Sequence, residues 1–146
     1  MKNNFAQEYA REEAIRAAYN IAKETGNEAE IEKAKADMRS LNEEIGAKGD
    51  AYAFVYRLYQ EMKEAGNEHI DLHDTIRDEA KMIETLRNLG VESFTFSSGW
   101  SSAVENAWIF QQNGCRLEGL IELNSIHKDW TTGEMEKVHG YLFRIQ

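Results

Sequence analysis

Phe94-Thr-Phe-Ser-Ser-Gly-Trp-Ser-Ser-Ala-Val-Glu-Asn-Ala-Trp-Ile-Phe-Gln-Gln-Asn-Gly-Cys-Arg-Leu-Glu-Gly-Leu-Ile-Glu-Leu-Asn-Ser125 changes its structural period twice. Phe94 and Phe96 alternate with Ser93, Thr95 and Ser97, the period of a strand. A Ser/Gly turn follows, then a helical segment over Ala103–Gln112 that stops at Asn113-Gly114. Cys115, Leu117, Gly119, Ile121 and Leu123 then alternate with Arg116, Glu118, Leu120, Glu122 and Asn124, a second strand. A polar loop over Ser125–His139 is expected to lead to a third strand at Gly140–Ile145, with Tyr141, Phe143 and Ile145 on one face. The stretch therefore predicts β-α-β plus one returning strand. The first two strands should be parallel through a right-handed crossover, and the third antiparallel to the second.

Upstream of this stretch the chain reads as helices. Phe5, Tyr9, Ile15, Ala18, Tyr19 and Ala22 form a stripe at helical spacing over Asn4–Thr25, stopped by Gly26-Asn27. Ile31, Ala34, Met38, Leu41 and Ile45 form a narrow seam over Glu28–Ile45, so these two helices should make an antiparallel hairpin. Asp50 is placed to cap a third helix over Ala51–Ala65, closed by Gly66-Asn67. Asp74 is placed to cap a fourth, with Ile76, Ala80, Ile83, Leu86 and Leu89 inward and Gly90 at its end. Tyr19-Asn-Ile-Ala-Lys-Glu-Thr-Gly-Asn-Glu28 echoes Tyr59-Gln-Glu-Met-Lys-Glu-Ala-Gly-Asn-Glu68 at an offset of 40. The offset and the lack of a third copy point to shared helix-stop chemistry, not to a tetratricopeptide array. The expected fold class is α+β. It has about four N-terminal helices, a small three-stranded mixed sheet, and one domain over 1–146 with a helical part (1–66) and an α-β-α-β-β part (67–146).

The 146 residues contain no proline and carry a net charge of −9. Residues 1–50 hold 8 basic and 11 acidic side chains, 51–90 hold 5 and 8, and 91–146 hold 4 and 7, so each part contributes −3. Acidity spread this evenly argues against direct contact with nucleic-acid phosphates, which needs a basic face, and permits approach to a basic partner. Cys115, the one cysteine, has no partner for a disulfide and no Cys-Cys spacing for a metal. No apolar signal region follows Met1, and no apolar run approaches the roughly 18 residues of a membrane span. A cytoplasmic protein without cofactor or metal is expected.

Several constellations bear on chemistry. Gly99-Trp-Ser-Ser-Ala103 lies between a strand and a helix, as a nucleophile elbow does, and Asp129 and His139 follow in order. The chain is too short for that hydrolase fold. Ser102-Ala-Val-Glu105 reads instead as a capping box. The turn, with Ser97, Ser98 and Ser101, could also take an anion, although no lysine or arginine lies between Arg87 and Arg116. His69 and His73 stand among Glu68, Asp71 and Asp74, and are read as a solvated acidic loop rather than a metal site. His127 and His139 flank the last loop with Asp129 and are expected to face one another. Tyr52, Tyr56 and Tyr59 lie at spacings of four and three beside a core stripe of Ala51, Phe54, Val55, Leu58, Met62 and Ala65. Tyrosine is favoured at interfaces, so they are the candidate partner surface. Trp100 and Trp130 fall in loops and would extend that surface, whereas Trp108 is expected in the core with Val104.

Residues Val91 to Phe143 resemble a small recurring domain of accessory proteins from bacterial mobile elements, especially those of gut bacteria. The resemblance rests on Phe94-Thr-Phe-Ser-Ser, Ala103-Val-Glu, Ala107-Trp, Phe110-Gln, Asn113-Gly114, Gly119, Glu122, Asn124-Ser125, His127-Lys128, His139 and Tyr141-Leu-Phe143. It implies a class that includes antagonists of host defence, such as anti-CRISPR proteins, which are often small, acidic and non-enzymatic. The expected function is accordingly to bind a protein partner, an effector with a basic nucleic-acid groove. The alternative is a small enzyme or ligand-binding regulator that uses Ser97, Ser98, Trp100, His127 and His139. A pocket joining Ser98, Trp100 and His139 would favour the alternative, and a flat acidic-aromatic surface the first reading.

Overall fold

The computed structural model describes residues 2–73 and 78–146. Its elements run α1 (Phe5–Thr25), α2 (Glu28–Ala47), α3 (Asp50–Ala65), β1 (Ile70–Leu72), α4 (Glu79–Asn88), β2 (Ser93–Phe96), α5 (Ala103–Gln112), β3 (Cys115–Lys128) and β4 (Met135–Ile145). The chain is α+β, with five helices and a four-stranded mixed sheet among the described residues. It divides into two compact units, Asn3–Tyr56 and Arg57–Gln146 with Lys2, and the division falls within α3.

The first unit holds α1, α2 and the start of α3. The buried stripe of α1 is Phe5, Glu8, Tyr9, Glu12, Ile15 and Ala22, so two carboxylates lie on the core side. Buried charge is tolerable only when it is paired. Lys48 Nζ donates to Glu8 Oε2 at 3.0 Å, and the Tyr52 hydroxyl also donates to Glu8. Arg16 pairs with Glu12 at 3.1 Å. Phe5 packs its ring against Tyr52 and Tyr56, with centroids 5.0 and 5.9 Å away.

The echo between residues 19–28 and 59–68 is one helix stop used twice. Gly26 and Gly66 have φ of 67° and 73°, where a side chain would be strained. Asn27 N donates to Ala22 O at 2.9 Å, and Asn67 N donates to Met62 O at 3.0 Å. The two asparagine side chains then diverge. Asn27 caps α2 by accepting from Glu30 N, whereas Asn67 bonds to the backbone of β3 at Asn124.

The second unit is built on a sheet of order β1-β2-β4-β3. This corrects the expected topology in three ways. First, a fourth strand, β1, pairs in parallel with β2. Second, β2 and β3 are not neighbours, because β4 lies between them and is antiparallel to both. β2 and β3 therefore run parallel on either side of α5 in the chain, as expected, but do not pair, and the hydrogen-bonded parallel neighbours are β1 and β2. Third, the polar loop is shorter than expected. β3 runs on to Lys128 and β4 begins at Met135, so the connection is 129–134. Asp129 sets that turn, since its carboxylate accepts from Thr131 N at 2.7 Å and its backbone N donates to Glu134 O. So tight a hairpin forces β3 and β4 to pair, and β4 then fills the gap that the α5 crossover leaves beside β2.

Alternation places Ile70, Leu72, Phe94, Phe96 and Phe143 on one side of the sheet. Phe110 of α5 closes that side. It meets Phe94, Phe96 and Phe143 edge-on at centroid distances of 5.2, 5.1 and 5.6 Å, and Phe94 stacks on Phe143 at 5.4 Å. α4 packs against α5, and Asn106 Nδ2 donates to Glu79. The cap of α4 at Asp74 and the inward Ile76 lie outside the described residues. In the described part Asp78 is the cap, accepting from Lys81 N at 3.0 Å. Asp50 is the first residue of α3, not the residue before it.

Phe110→Ala should cost about 3–5 kcal/mol, because it opens a cavity between three other phenylalanines. Urea unfolding followed by circular dichroism measures this, and a loss under about 1 kcal/mol would show that the cluster does not hold the sheet.

Candidate functional site

On β1 and β2 the opposite side of the sheet is polar, and its sequence basis is plain once β1 is in place. His69, Asp71 and His73 alternate with Ile70 and Leu72, as Ser93, Thr95 and Ser97 alternate with Phe94 and Phe96. The parallel register sets Asp71 beside Thr95. The two sets therefore form a ladder. His69 Nδ1 lies 2.9 Å from Ser93 Oγ. Thr95 Oγ1 donates to Asp71 Oδ1 at 2.7 Å, and Ser97 Oγ donates to Asp71 Oδ2 at 2.6 Å. His73 Nε2 lies 2.9 Å from Glu61 Oε2 of α3.

A cavity of about 240 Å³ opens at the end of this ladder. Asp71, His73 and Ser97 line it from the ends of β1 and β2. Leu58, Glu61 and Met62 line it from α3, and Asn124, His127, Glu136 and Val138 from β3 and β4. Asn67 separates it from a second cavity of about 230 Å³ beside His69, Glu122 and Lys137. Burial pushes the Asp71 carboxyl above the usual aspartate value, and Glu61 adds to the shift. The hydroxyls of Ser97 and Thr95, and His73, pull the other way. Among the described residues no group of three His, Cys, Asp or Glu side chains is arranged to hold a metal ion. His69 and His73 bond to different partners, so the cluster read as a solvated loop is a strand edge with assigned contacts.

A second feature is exposed apolar surface. All three tryptophans are exposed: Trp100 63%, Trp108 62% and Trp130 100%. Val104, Leu117, Leu120 and Tyr141 are exposed as well. Trp108 and Val104 were expected in the core, and the helical period shows why they are not. Asn106 and Phe110, four apart, take the buried side of α5, and positions two residues from either point away. Leu120 is the cross-strand partner of Tyr141, and Leu117 of Phe143. These side chains therefore share the sheet face that Phe110 covers only in part.

Other expected site residues fall elsewhere. Tyr52 and Tyr56 are each 3% exposed, so they are core residues and not partner anchors; Tyr59 is half-buried. The inward stripe of α3 is rotated toward these tyrosines, and Phe54 is left at its exposed margin. Burial pushes both phenols upward, with Glu8 adding to Tyr52, and Glu12 and Glu8 adding to Tyr56. The capping box is absent: Ser102 makes no side-chain cap bond, and the turn is closed by Ala103 N donating to Trp100 O at 3.0 Å. Ser98 Oγ accepts from Trp100 N at 3.3 Å. His139 stands opposite Glu122, whereas His127 lies five positions further along β3, roughly 16 Å away at strand rise. The two histidines do not face one another. Cys115 is buried, and burial pushes its thiol up to about 11.

The fold and these two surfaces define an α+β domain with one aromatic side and one polar, cavity-bearing side. The chain belongs to the family described as a domain of unknown function, DUF7698, which matches residues 54–145. That span takes in most of α3, every strand, and both surfaces. No curated protein and no solved structure matches the chain. No helix of the described residues is long and apolar enough to cross a membrane.

The raised Asp71 carboxyl has a measurable consequence. A group whose pKa is raised by folding contributes stability that is present below its unfolded value and is lost as pH rises through its folded value. Asp71→Asn removes that titration. The variant should therefore gain in urea midpoint relative to the native chain as pH rises from about 4 to 7. A gap between the two that stays constant over that window would mean that Asp71 ionises as freely as in water.

Proposed function

We propose that this domain is a non-enzymatic protein-binding module whose docking face is the aromatic side of the second unit. The observation that carries this reading is the exposure of Trp108 and Val104 on the outward side of α5 and of Leu120 and Tyr141, cross-strand partners on the sheet face that α5 covers in part. Large apolar side chains left in water are the usual anchors of a docking surface, and tryptophan and tyrosine dominate the energetics of protein interfaces. The face differs from the one expected on α3, since Tyr52 and Tyr56 are used in the core.

The net charge of −9 favours a partner with a basic surface around an apolar spot. A nucleic-acid-binding effector of bacterial defence has such a surface. The resemblance to mobile-element accessory proteins points to the same class, with this chain acting as an acidic antagonist. The alternative, a ligand site at the strand–helix turn, has less support. Ser97 and His127 line a cavity, whereas Ser98, Trp100 and His139 do not join it.

The test is affinity capture from a bacterial lysate with the native chain and with the double variant Trp108→Ser, Leu120→Ser. Both positions are exposed, so the variant should keep its unfolding free energy within roughly 0.5 kcal/mol. A partner held through hot-spot residues should be lost by about 30-fold, as expected for 2 kcal/mol, and released by salt. Equal recovery with both baits would overturn the assignment of this face.

A further inference from the structure

The polar cavity lies on the side of the sheet opposite the aromatic face, and nothing in the docking reading uses it. We propose that it binds a small organic cation, a primary amine or guanidinium carried on a short apolar body.

Placement is the first argument. The cavity opens at the carboxyl ends of the parallel strands β1 and β2, where open sheets commonly receive ligands. Its 240 Å³ is the space of about eight waters, enough for a ligand of several heavy atoms. The second argument is the division of the lining. Leu58 and Met62 on α3 and Val138 on β4 supply apolar surface, while the ends of β1 and β2 supply Asp71, His73 and Ser97. A ligand apolar at one end and polar at the other fits such a wall.

Charge decides the sign of the polar end. Asp71, Glu61 and Glu136 line the cavity, and no lysine or arginine does so among the described residues. His73 and His127 are the only described lining groups that can become positive, and His73 is engaged by Glu61. An anion would meet three carboxylates. Asp71 has capacity left as well. Each of its oxygens accepts one hydroxyl, from Thr95 or Ser97, and a carboxylate has about four acceptor positions. Both donors are neutral, so they orient the carboxylate without compensating its charge. A half-buried carboxylate held by neutral donors still gains from a cation placed on its open lone pairs.

The experiment is a proton–nitrogen correlation NMR titration of the whole chain at pH 7. The probes are n-butylammonium chloride, sodium butyrate and magnesium chloride at matched ionic strength. The expected result is saturable shifts with butylammonium alone, centred on the amides of Asp71, Ser97 and His127. The Kd should be on the order of 1 mM, about 4 kcal/mol from few heavy atoms. Asp71→Asn should weaken binding roughly tenfold or more, and Glu136→Gln, at an exposed position, by roughly threefold without risk to the fold. Absence of saturation, shifts that survive both substitutions, or a stronger response to butyrate or magnesium would each overturn the assignment.

Discussion

β4 is the strand on which the second unit depends. A backbone group buried without a hydrogen-bond partner is costly, so a sheet survives only where its ladders are complete. β1 has three residues and β2 four, and so short a parallel pair has little stability by itself. β4 pairs with β2 on one side, from Ser93↔Arg144 to Phe96↔Tyr141, and with the long β3 on the other. It also contributes Phe143, which stacks on Phe94 and meets Phe110. One strand thus completes both ladders and provides the aromatic contact that holds α5 on the sheet.

That arrangement separates the two chemistries of the domain. Strand alternation sends phenylalanines to one side and hydroxyls, imidazoles and a carboxylate to the other. The apolar side is too wide for α5 to cover, so Leu120 and Tyr141 stay in water beside the outward face of the helix. The polar side is bounded by the second half of α3 and by Asn67, whose side chain trades hydrogen bonds with the backbone of Asn124 as another strand would. Asn67 and Asn124 line both cavities on this side.

The legible parts of this fold were those with strong local signals. The helix over Ala103–Gln112, the Gly-Asn stops and the antiparallel pairing of the last two strands follow from spacing and turn chemistry alone. β1 escaped because a three-residue strand has only Ile70 and Leu72 as apolar positions, between residues that read as a solvated loop. Without it the hydrogen-bonded parallel pair β1–β2 was missed, and the polar ladder was invisible, although His69-x-Asp71-x-His73 and Ser93-x-Thr95-x-Ser97 are its signature. Tyr52 and Tyr56 on the one hand and Trp108 on the other exchanged places for a different reason. Aromatic type does not reveal burial. Tyr52 lies in the core because Glu8 accepts its hydroxyl, whereas Trp108 lies outside because Asn106 and Phe110 take the inward side of α5.

The exposure of every tryptophan also governs what light reports about this molecule. Indoles in water already emit as they would in an unfolded chain, so intrinsic fluorescence should change little when the protein melts. The same rings should respond when a surface closes over them. In this chain tryptophan emission is a gauge of encounter and not of folding.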